Sequence, residues 1–450
     1  MKKYFFFINY SIIIFIKIFV LSIFGAQIMP DSNGYILESK TLFDTMPFRN
    51  YGYPLIISIM SFFFHNWEIN LVLIQIIISG ITSFYTFNTL IKMKLTKNLS
   101  FFVISIVNLS ILFFLDLCIL PDSFISNCFT IIICNFLRIF ITKSNLFFLV
   151  FINSILFTLC FILKSQFLYF LPTFLLIFIS LYKIYNLRKI LLSIFIFIIP
   201  VFISQESIKF IHGKKFNQNS VNFSNNTIYL YSLIKPYKDF DMKNLNLDND
   251  QFNSILKKNI NGEEFSIVYN IIRDLKEQDF DDKEVAAIIK KKYFETIIYN
   301  PEFLLIKIFY NLKPTSIWGI FQPFLNVSQI YSVKNQDNDY WRFRLIVKKF
   351  FIDLRINDGF LAILIFLEMI VSSYIFLYVL FNSVKKYFFN KNYFFINSEK
   401  NEDFIILLVL FYYVFIFLHL IVHIEPRYLA PVNVIPILAY VFFKRSAKDK

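Results

Sequence analysis

The sequence has little glycine and little charge. Glycine occupies only eight of the 450 positions, and Asp, Glu, Lys and Arg together make up 17% of the chain. A nucleotide-binding loop or a dinucleotide turn needs several closely spaced glycines, and so few glycines leave little scope for either. No Ser-His-Asp arrangement is present in the sequence. These absences argue against a soluble enzyme that uses nucleotides or a hydrolase triad.

Cysteine is also scarce. The four cysteines are Cys118, Cys128, Cys134 and Cys160, and they fall within or beside apolar runs. Their spacing is not that of metal ligands. The pattern predicts neither a disulfide framework nor a zinc site.

Apolar residues are abundant. They make up 57% of the chain, and phenylalanine alone occurs 62 times. This composition predicts an all-α, polytopic membrane protein. An apolar run of about 20 residues crosses a bilayer as a helix, and the chain contains roughly ten of them. The runs lie near residues 5–26, 69–91, 99–116, 122–141, 145–163, 166–182, 188–205, 359–384, 403–423 and 427–444.

The positive charges flank these runs on one predicted side. The net charge of +14 comes from Lys and Arg clusters beside apolar runs, which is the pattern of cytoplasmic flanks and not of a nucleic-acid-binding surface. The positive-inside rule then places both termini in the cytoplasm of a multi-pass protein, and we expect the bacterial inner (plasma) membrane. The first run carries Lys17 and lacks a convincing small-residue cleavage site before Gln27, so it is expected to be retained.

Two non-cytoplasmic loops interrupt the alternation and define the expected domains. An N-terminal transmembrane module, 1–205, includes a first outer loop at 27–68, with a short amphipathic helix expected around 35–45. Residues 206–358 form an extracytoplasmic loop domain, with a helix expected near 283–300 and a surface or re-entrant helix after it. Residues 359–450 form a C-terminal transmembrane module.

This topology brings ionisable residues together on the outer face. An acidic group at the water-facing mouth of a helix bundle avoids the cost of a carboxylate in hydrocarbon and still reaches a lipid-borne substrate. Lys17 and Glu368 instead fall near mid-membrane, where we expect a structural pair or a cavity lining. The outer set consists of Asp31, Arg49, Asp116, Asp122, Lys164, His423, Glu425 and Arg427.

Short motifs around these residues occur in a fixed order. They are Asp31 with Tyr35, Arg49-Asn-Tyr-Gly-Tyr-Pro-Leu55, Pro121-Asp-Ser-Phe124, Leu163-Lys-Ser-Gln-Phe167 and His423-Ile-Glu-Pro-Arg-Tyr428. In order and spacing they resemble the polyprenyl-phosphate-sugar-dependent membrane glycosyltransferases of the GT-C fold. That group, related to glycosyltransferase family 39, includes the protein O-mannosyltransferases and the aminoarabinose-lipid transferases.

The resemblance covers residues 1–182 best, and residues 206–358 carry no matching motif. One departure bears on the acceptor. The first loop has a lone Asp31, whereas the protein mannosyltransferases have an Asp-Glu pair there. The resemblance therefore implies a glycan or glycolipid acceptor in preference to a protein.

The resemblance also implies roles for the residues. Asp31 is the expected base for the acceptor hydroxyl, with inversion at the sugar. Asp122 is a second catalytic candidate that orients the acceptor or a cation. We expect no cofactor beyond a possible divalent cation. The donor phosphate would be bound by Lys164, Arg427 and Arg49, and the substrate would be contacted by Tyr35, Tyr53, His423, Glu425 and Tyr428.

Other readings stay open. Lys164, Arg427 and His423 could be interfacial anchors, which is the ordinary role of a cation at the end of a span. A polysaccharide polymerase or ligase would use a lipid-diphosphate glycan, and we would expect its key arginines in the large loop. A lipid-linked sugar transporter or flippase would call for two related halves with broken helices, and no such repeat is found.

Overall fold

The structure is a computed structural model. It describes residues 2–44, 50–109, 111–142, 145–216, 229–230, 251–259, 264–278, 280–311, 370, 374–385, 400–422 and 430–448. Helices make up nearly all of this part of the chain, and its only β feature is an isolated parallel bridge between Gln27 and Cys118. The all-α class predicted from the composition is confirmed for these residues.

The first half of the chain holds ten α-helices in its described residues. A 3-10 helix, Ser165–Phe170, joins α8 to α9. The α-helices are α1 (Lys2–Phe24), α2 (Pro30–Lys40), α3 (Gly52–Phe63), α4 (Trp67–Lys92), α5 (Lys97–Leu109), α6 (Ile111–Leu117), α7 (Asp122–Thr142), α8 (Leu146–Leu163), α9 (Leu171–Ser180) and α10 (Leu187–Phe216).

The second half continues with shorter described stretches. A 3-10 helix, Ala430–Val432, precedes the last of them. The α-helices are α11 (Gln251–Asn259), α12 (Glu264–Lys276), α13 (Asp282–Tyr299), α14 (Glu302–Asn311), α15 (Tyr374–Lys385), α16 (Lys400–Val422) and α17 (Val434–Lys448).

Five of the described helices, α1, α4, α7, α8 and α10, are long and apolar enough to cross a membrane. The expected count of roughly ten spans stays a prediction, because the other described apolar helices have apolar stretches of only 10–17 residues, such as Ile405–His419 within α16. The run expected at 166–182 shows one reason why a predicted span is not a single long α-helix. Pro172 lies in the first turn of α9 and has no N–H to continue a helix from the preceding turn, so that turn is a 3-10 helix.

Helix α7 occupies the centre of the bundle. It packs against α4 and α8 and against Ala430–Val432. Phe129 of α7 contacts Phe157 of α8, Phe174 of α9 and Phe415 of α16, with ring centroids 6.1, 5.9 and 6.2 Å apart. Because α7 begins at Asp122, this carboxylate starts the central helix.

Two expected boundaries of the loops differ from the structure. The first-loop helix is Pro30–Lys40, not 35–45, because Pro30 suits the first helical position and Ser32 caps the start by accepting the Met29 N–H at 2.9 Å. Helix α10 runs on to Phe216, past the expected end at 205.

The loop segment has a core of its own. Side chains of α11, α12 and α13 form a small apolar cluster that includes Phe252, Ile271 and Val285. Helix α13 coincides with the helix expected near 283–300. Helix α14 follows it and packs on α16, so the segment touches the bundle through α14.

Candidate active site

The connection after α1 is joined to the α6–α7 turn. The N–H of Gln27 donates to the carbonyl of Leu117, and the N–H of Ile119 donates to the carbonyl of Gln27, both at 2.9 Å. The bridge is parallel, so the two segments leave it in the same direction. One reaches Asp31 and the other reaches Asp122, each after four residues. We call this end of the bundle the Asp31 end.

Asp31 lies in the first turn of α2 and is partly buried. The first turn of a helix favours negative charge, because the unsatisfied backbone N–H groups point towards it. Pro30 before it fixes the backbone at the helix start. The helix start therefore stabilises a negative charge at this position.

Lys164 and Asp122 form an ion pair. The ammonium nitrogen of Lys164 lies 2.7 Å from Oδ1 of Asp122, and the side chains are 13% and 5% exposed. Lys164 ends α8 in an extended conformation, so the pair joins the end of α8 to the start of α7. Oδ2 of Asp122 is buried and has no hydrogen-bond partner among the described residues. This oxygen can accept a hydrogen bond from a substrate hydroxyl.

The first loop closes against the same place. The side-chain amide of Asn50 donates to the carbonyl of Phe161 at 2.6 Å. At Gly52, a Cβ would lie 2.6 Å from the carbonyl oxygen of Ile162, so only glycine permits this approach. The contacts press the start of α3 onto the last turn of α8, directly before Lys164.

Tyr35 and Tyr53 pack the first loop against α7. Their rings pack edge to face with centroids 5.2 Å apart, and Tyr53 also contacts Phe124 of α7 at 6.2 Å. The Tyr53 hydroxyl donates to Oε1 of Gln75 at 3.1 Å. Both tyrosines are buried, and their contacts hold α2 and α3 against the bundle. The predicted direct contact with substrate stays a prediction.

A second cluster anchors the first loop to α10. The ring of Tyr51 packs edge to face on His212 at 5.4 Å and against Phe43 at 4.7 Å. Burial, with a smaller effect of Glu38, raises the pKa of Tyr51 to about 12. Lys215 donates to the Phe43 carbonyl. The sequence does not predict this cluster, because the last N-terminal span was expected to end at 205, before His212.

Asp116 does not lie at the mouth as predicted. It is fully buried, and its Oδ2 lies 2.6 Å from the ammonium nitrogen of Lys17. The pairing of Lys17 agrees with the structural role expected for a charge near mid-membrane. Glu368, the other such charge, lies outside the described residues.

Several predicted site residues lie outside the described part of the chain. On the described flanks, His419 stacks on Phe170 at 4.9 Å, and Ala430–Val432 packs on α7. The predicted roles in this group stay predictions. The group consists of Arg49, His423, Glu425, Arg427 and Tyr428.

The described side chains include no cluster of metal ligands. Across the residues that the structure describes, no group of three or more His, Cys, Asp or Glu side chains is placed to bind an ion. Among the carboxylates of the Asp31 end, Asp122 already pairs with Lys164. The divalent cation stays a prediction.

The chain matches no family model, no curated protein and no solved structure in the comparisons with known proteins. The functional hypothesis depends on the sequence motifs and on the geometry of the Asp31 end.

Proposed function

We propose that this chain is a membrane glycosyltransferase that moves a sugar from a polyprenyl-phosphate carrier to an acceptor hydroxyl outside the cytoplasm. One observation carries the proposal. A parallel backbone bridge joins the segments that lead to Asp31 and to the Asp122–Lys164 pair, at one end of an apolar helix bundle. A lipid-borne donor needs this combination of an apolar bundle, a carboxylate and a cation at its mouth.

In the proposed reaction, Asp31 takes the proton of the acceptor hydroxyl as its oxygen attacks the anomeric carbon of the sugar. The bond between that carbon and the phosphate oxygen breaks, and the carrier phosphate leaves with the electron pair. A single displacement puts base and leaving group on opposite faces of the sugar, so the product has inverted configuration.

Lys164 stabilises the departing phosphate. Its ammonium group has three donors, and Asp122 accepts one of them at 2.7 Å. Asp122 thereby holds the cation near the Asp31 end, while its buried Oδ2 is available to an acceptor or sugar hydroxyl. Arg49 and Arg427 are proposed to add to the phosphate site, and the acceptor is proposed to be a glycan or glycolipid.

The polymerase or ligase alternative called for key arginines in the large loop. Among the described residues of 206–358, the sole arginine is Arg273, whose side chain is 62% exposed and pairs with Asp274 and Glu277. An exposed arginine paired within its own helix has the character of a solvated surface group. Arg342, Arg344 and Arg355 of the same segment lie outside the described residues, so the choice between the two functions falls to the donor test below.

The test offers the purified protein a panel of labelled polyprenyl-phosphate sugars and, in parallel, the matching polyprenyl-diphosphate sugars. The proposal predicts consumption of a monophosphate donor with release of carrier monophosphate. Consumption of diphosphate donors alone would favour the polymerase or ligase. Transfer of the intact lipid-linked sugar between leaflets, without cleavage, would favour a flippase.

A further inference from the structure

The bundle contains a second ion pair that the proposed reaction does not use. The ammonium nitrogen of Lys17 in α1 lies 2.6 Å from Oδ2 of Asp116 in α6, and both side chains are at most 1% exposed. Two charges inside an apolar bundle are costly, and a well-packed apolar pair would often stabilise the fold as well or better. The pair therefore calls for a role besides stability.

Hydrogen bonds of the pair join five helices. Besides Asp116, the Lys17 ammonium contacts Oδ1 of Asn108 in α5 at 3.2 Å and Oγ of Ser79 in α4 at 3.4 Å. On the other side, Oδ1 of Asp116 accepts a hydrogen bond from the hydroxyl of Ser123 in α7. Ser123 is the residue after Asp122, so the network ends beside the site.

The same turn is also fixed through its backbone. The side-chain amide of Gln75 in α4 donates to the carbonyl of Asp116 at 3.1 Å and to that of Cys118 at 2.8 Å. Tyr53 in turn donates to Gln75, and Gln27 forms the parallel bridge. Contacts from α4 and from the connection after α1 thus converge on the turn between α6 and α7, and Tyr53 of α3 supports Gln75.

We propose that Lys17 is a positioning residue for the active site. It acts through Asp116 and Ser123 to hold the α6–α7 turn. The held turn keeps Asp122 in place relative to Asp31. This inference rests on the proposed function, because it assigns the buried pair to the geometry of that reaction. A directional, fully hydrogen-bonded network fixes one arrangement of the turn, which apolar packing alone does less well.

The cleanest test cuts the network at Ser123 and leaves the ion pair intact. Ser123→Ala removes the hydroxyl that links Asp116 to α7. Ser126→Ala is the matched control, because Ser126 is equally buried on the same helix and donates only to the backbone carbonyl of Asp122. A displacement of about 1 Å at reacting groups costs roughly a hundred-fold in rate, so the turnover of Ser123→Ala should fall towards that extent while its melting temperature stays near that of the parent.

A second variant removes both charges together. Lys17→Met with Asp116→Leu leaves no lone buried charge, so the protein should fold while the turn loses its anchor. The proposal predicts lost turnover here also. Parental turnover in this variant and in Ser123→Ala would overturn it. If the double variant does not fold, Ser123→Ala decides alone.

A readout independent of activity separates this inference from the proposed function. Hydrogen–deuterium exchange should rise in residues 118–123 of Ser123→Ala and stay unchanged in Ser126→Ala. Faster exchange in a protein that transfers no sugar would contradict the proposed function and still support the anchoring of the turn. Unchanged exchange in Ser123→Ala would overturn the positioning role whatever the activity.

Discussion

At the scale of single residues, the site is controlled by which charge pairs with which. Asp122 is buried and pairs with Lys164, whose side chain is 13% exposed. A buried pair that loses one partner costs about 3–5 kcal/mol, because the remaining charge stays without compensation. A single substitution in this pair therefore changes both folding and catalysis. Replacing both partners separates the two effects.

We predict that Lys164→Met will destabilise the protein and that Lys164→Met with Asp122→Asn will recover most of the melting temperature. Transfer by the double variant should still be roughly a hundred- to a thousand-fold slower, since a preorganised charge is lost from the site. Lys209→Met is the control, because Lys209 pairs with the exposed Glu206. A double variant that transfers sugar at the parental rate would make Lys164 an interfacial anchor.

The sequence identified the charges of the site but not all of their partners. Asp31, Asp122 and Lys164 were singled out because they lie at the predicted outer ends of apolar runs, within the ordered motifs. Lys164 and Asp122 are 42 positions apart on different helices, and their contact depends on how α7 and α8 pack. Asp116 was assigned to the mouth because it ends a predicted apolar run. Position along the chain was the only available guide to how deep a residue lies in the bundle. The partner of Asp116, Lys17, lies 99 positions away.

At the scale of helices, the close approach of α3 to α8 positions the first loop. Gly52 begins α3 and faces the backbone of Ile162, and Asn50 donates to Phe161 just before it. The apolar sequence of α3 fits a helix that packs on the bundle. It could not predict the partner helix, because any apolar helix offers a similar surface. The buried network has one signal in the sequence. Gln75 lies inside an apolar run, and a side-chain amide there needs hydrogen-bond partners, so it predicts polar contacts inside the bundle.

Gly52→Ala should destabilise the protein by about 1–3 kcal/mol, the usual cost of an atom forced into a packed contact. The added Cβ would meet the backbone carbonyl of Ile162, which cannot rotate away as a side chain does. Gly213→Ala is the matched control on a helix, since a Cβ there has nothing within 4 Å. Thermal unfolding measures both. Equal melting temperatures for the two variants would contradict the close approach of α3 and α8.

At the scale of the whole molecule, the loop segment is expected to lie outside the cytoplasm and both termini inside it. The prediction depends on the sided distribution of Lys and Arg, which reports on topology independently of packing. The five helices that are long and apolar enough to span fit a membrane protein and leave its sidedness open to measurement. The position of the Asp31 end relative to the cytoplasm follows from this sidedness.

Single cysteines in a cysteine-free background will measure the sidedness. Glu277→Cys, on the exposed surface of the loop segment, should react with an impermeant maleimide in intact cells. Arg188→Cys, exposed at the start of α10, should react only after permeabilisation. Labelling of Arg188→Cys in intact cells together with protection of Glu277→Cys would invert the topology and place the Asp31 end in the cytoplasm.

The central claim is that Asp31 is the base for sugar transfer from a polyprenyl-phosphate carrier. The direct measurement is the rate of transfer from the labelled donor by the parent and by Asp31→Asn, with Asp44→Asn as the control, because Asp44 is an exposed carboxylate of the same loop. Asp31→Asn should still bind donor and should transfer sugar at least about a hundred-fold more slowly, whereas Asp44→Asn should match the parent. Parental transfer by Asp31→Asn would contradict the account.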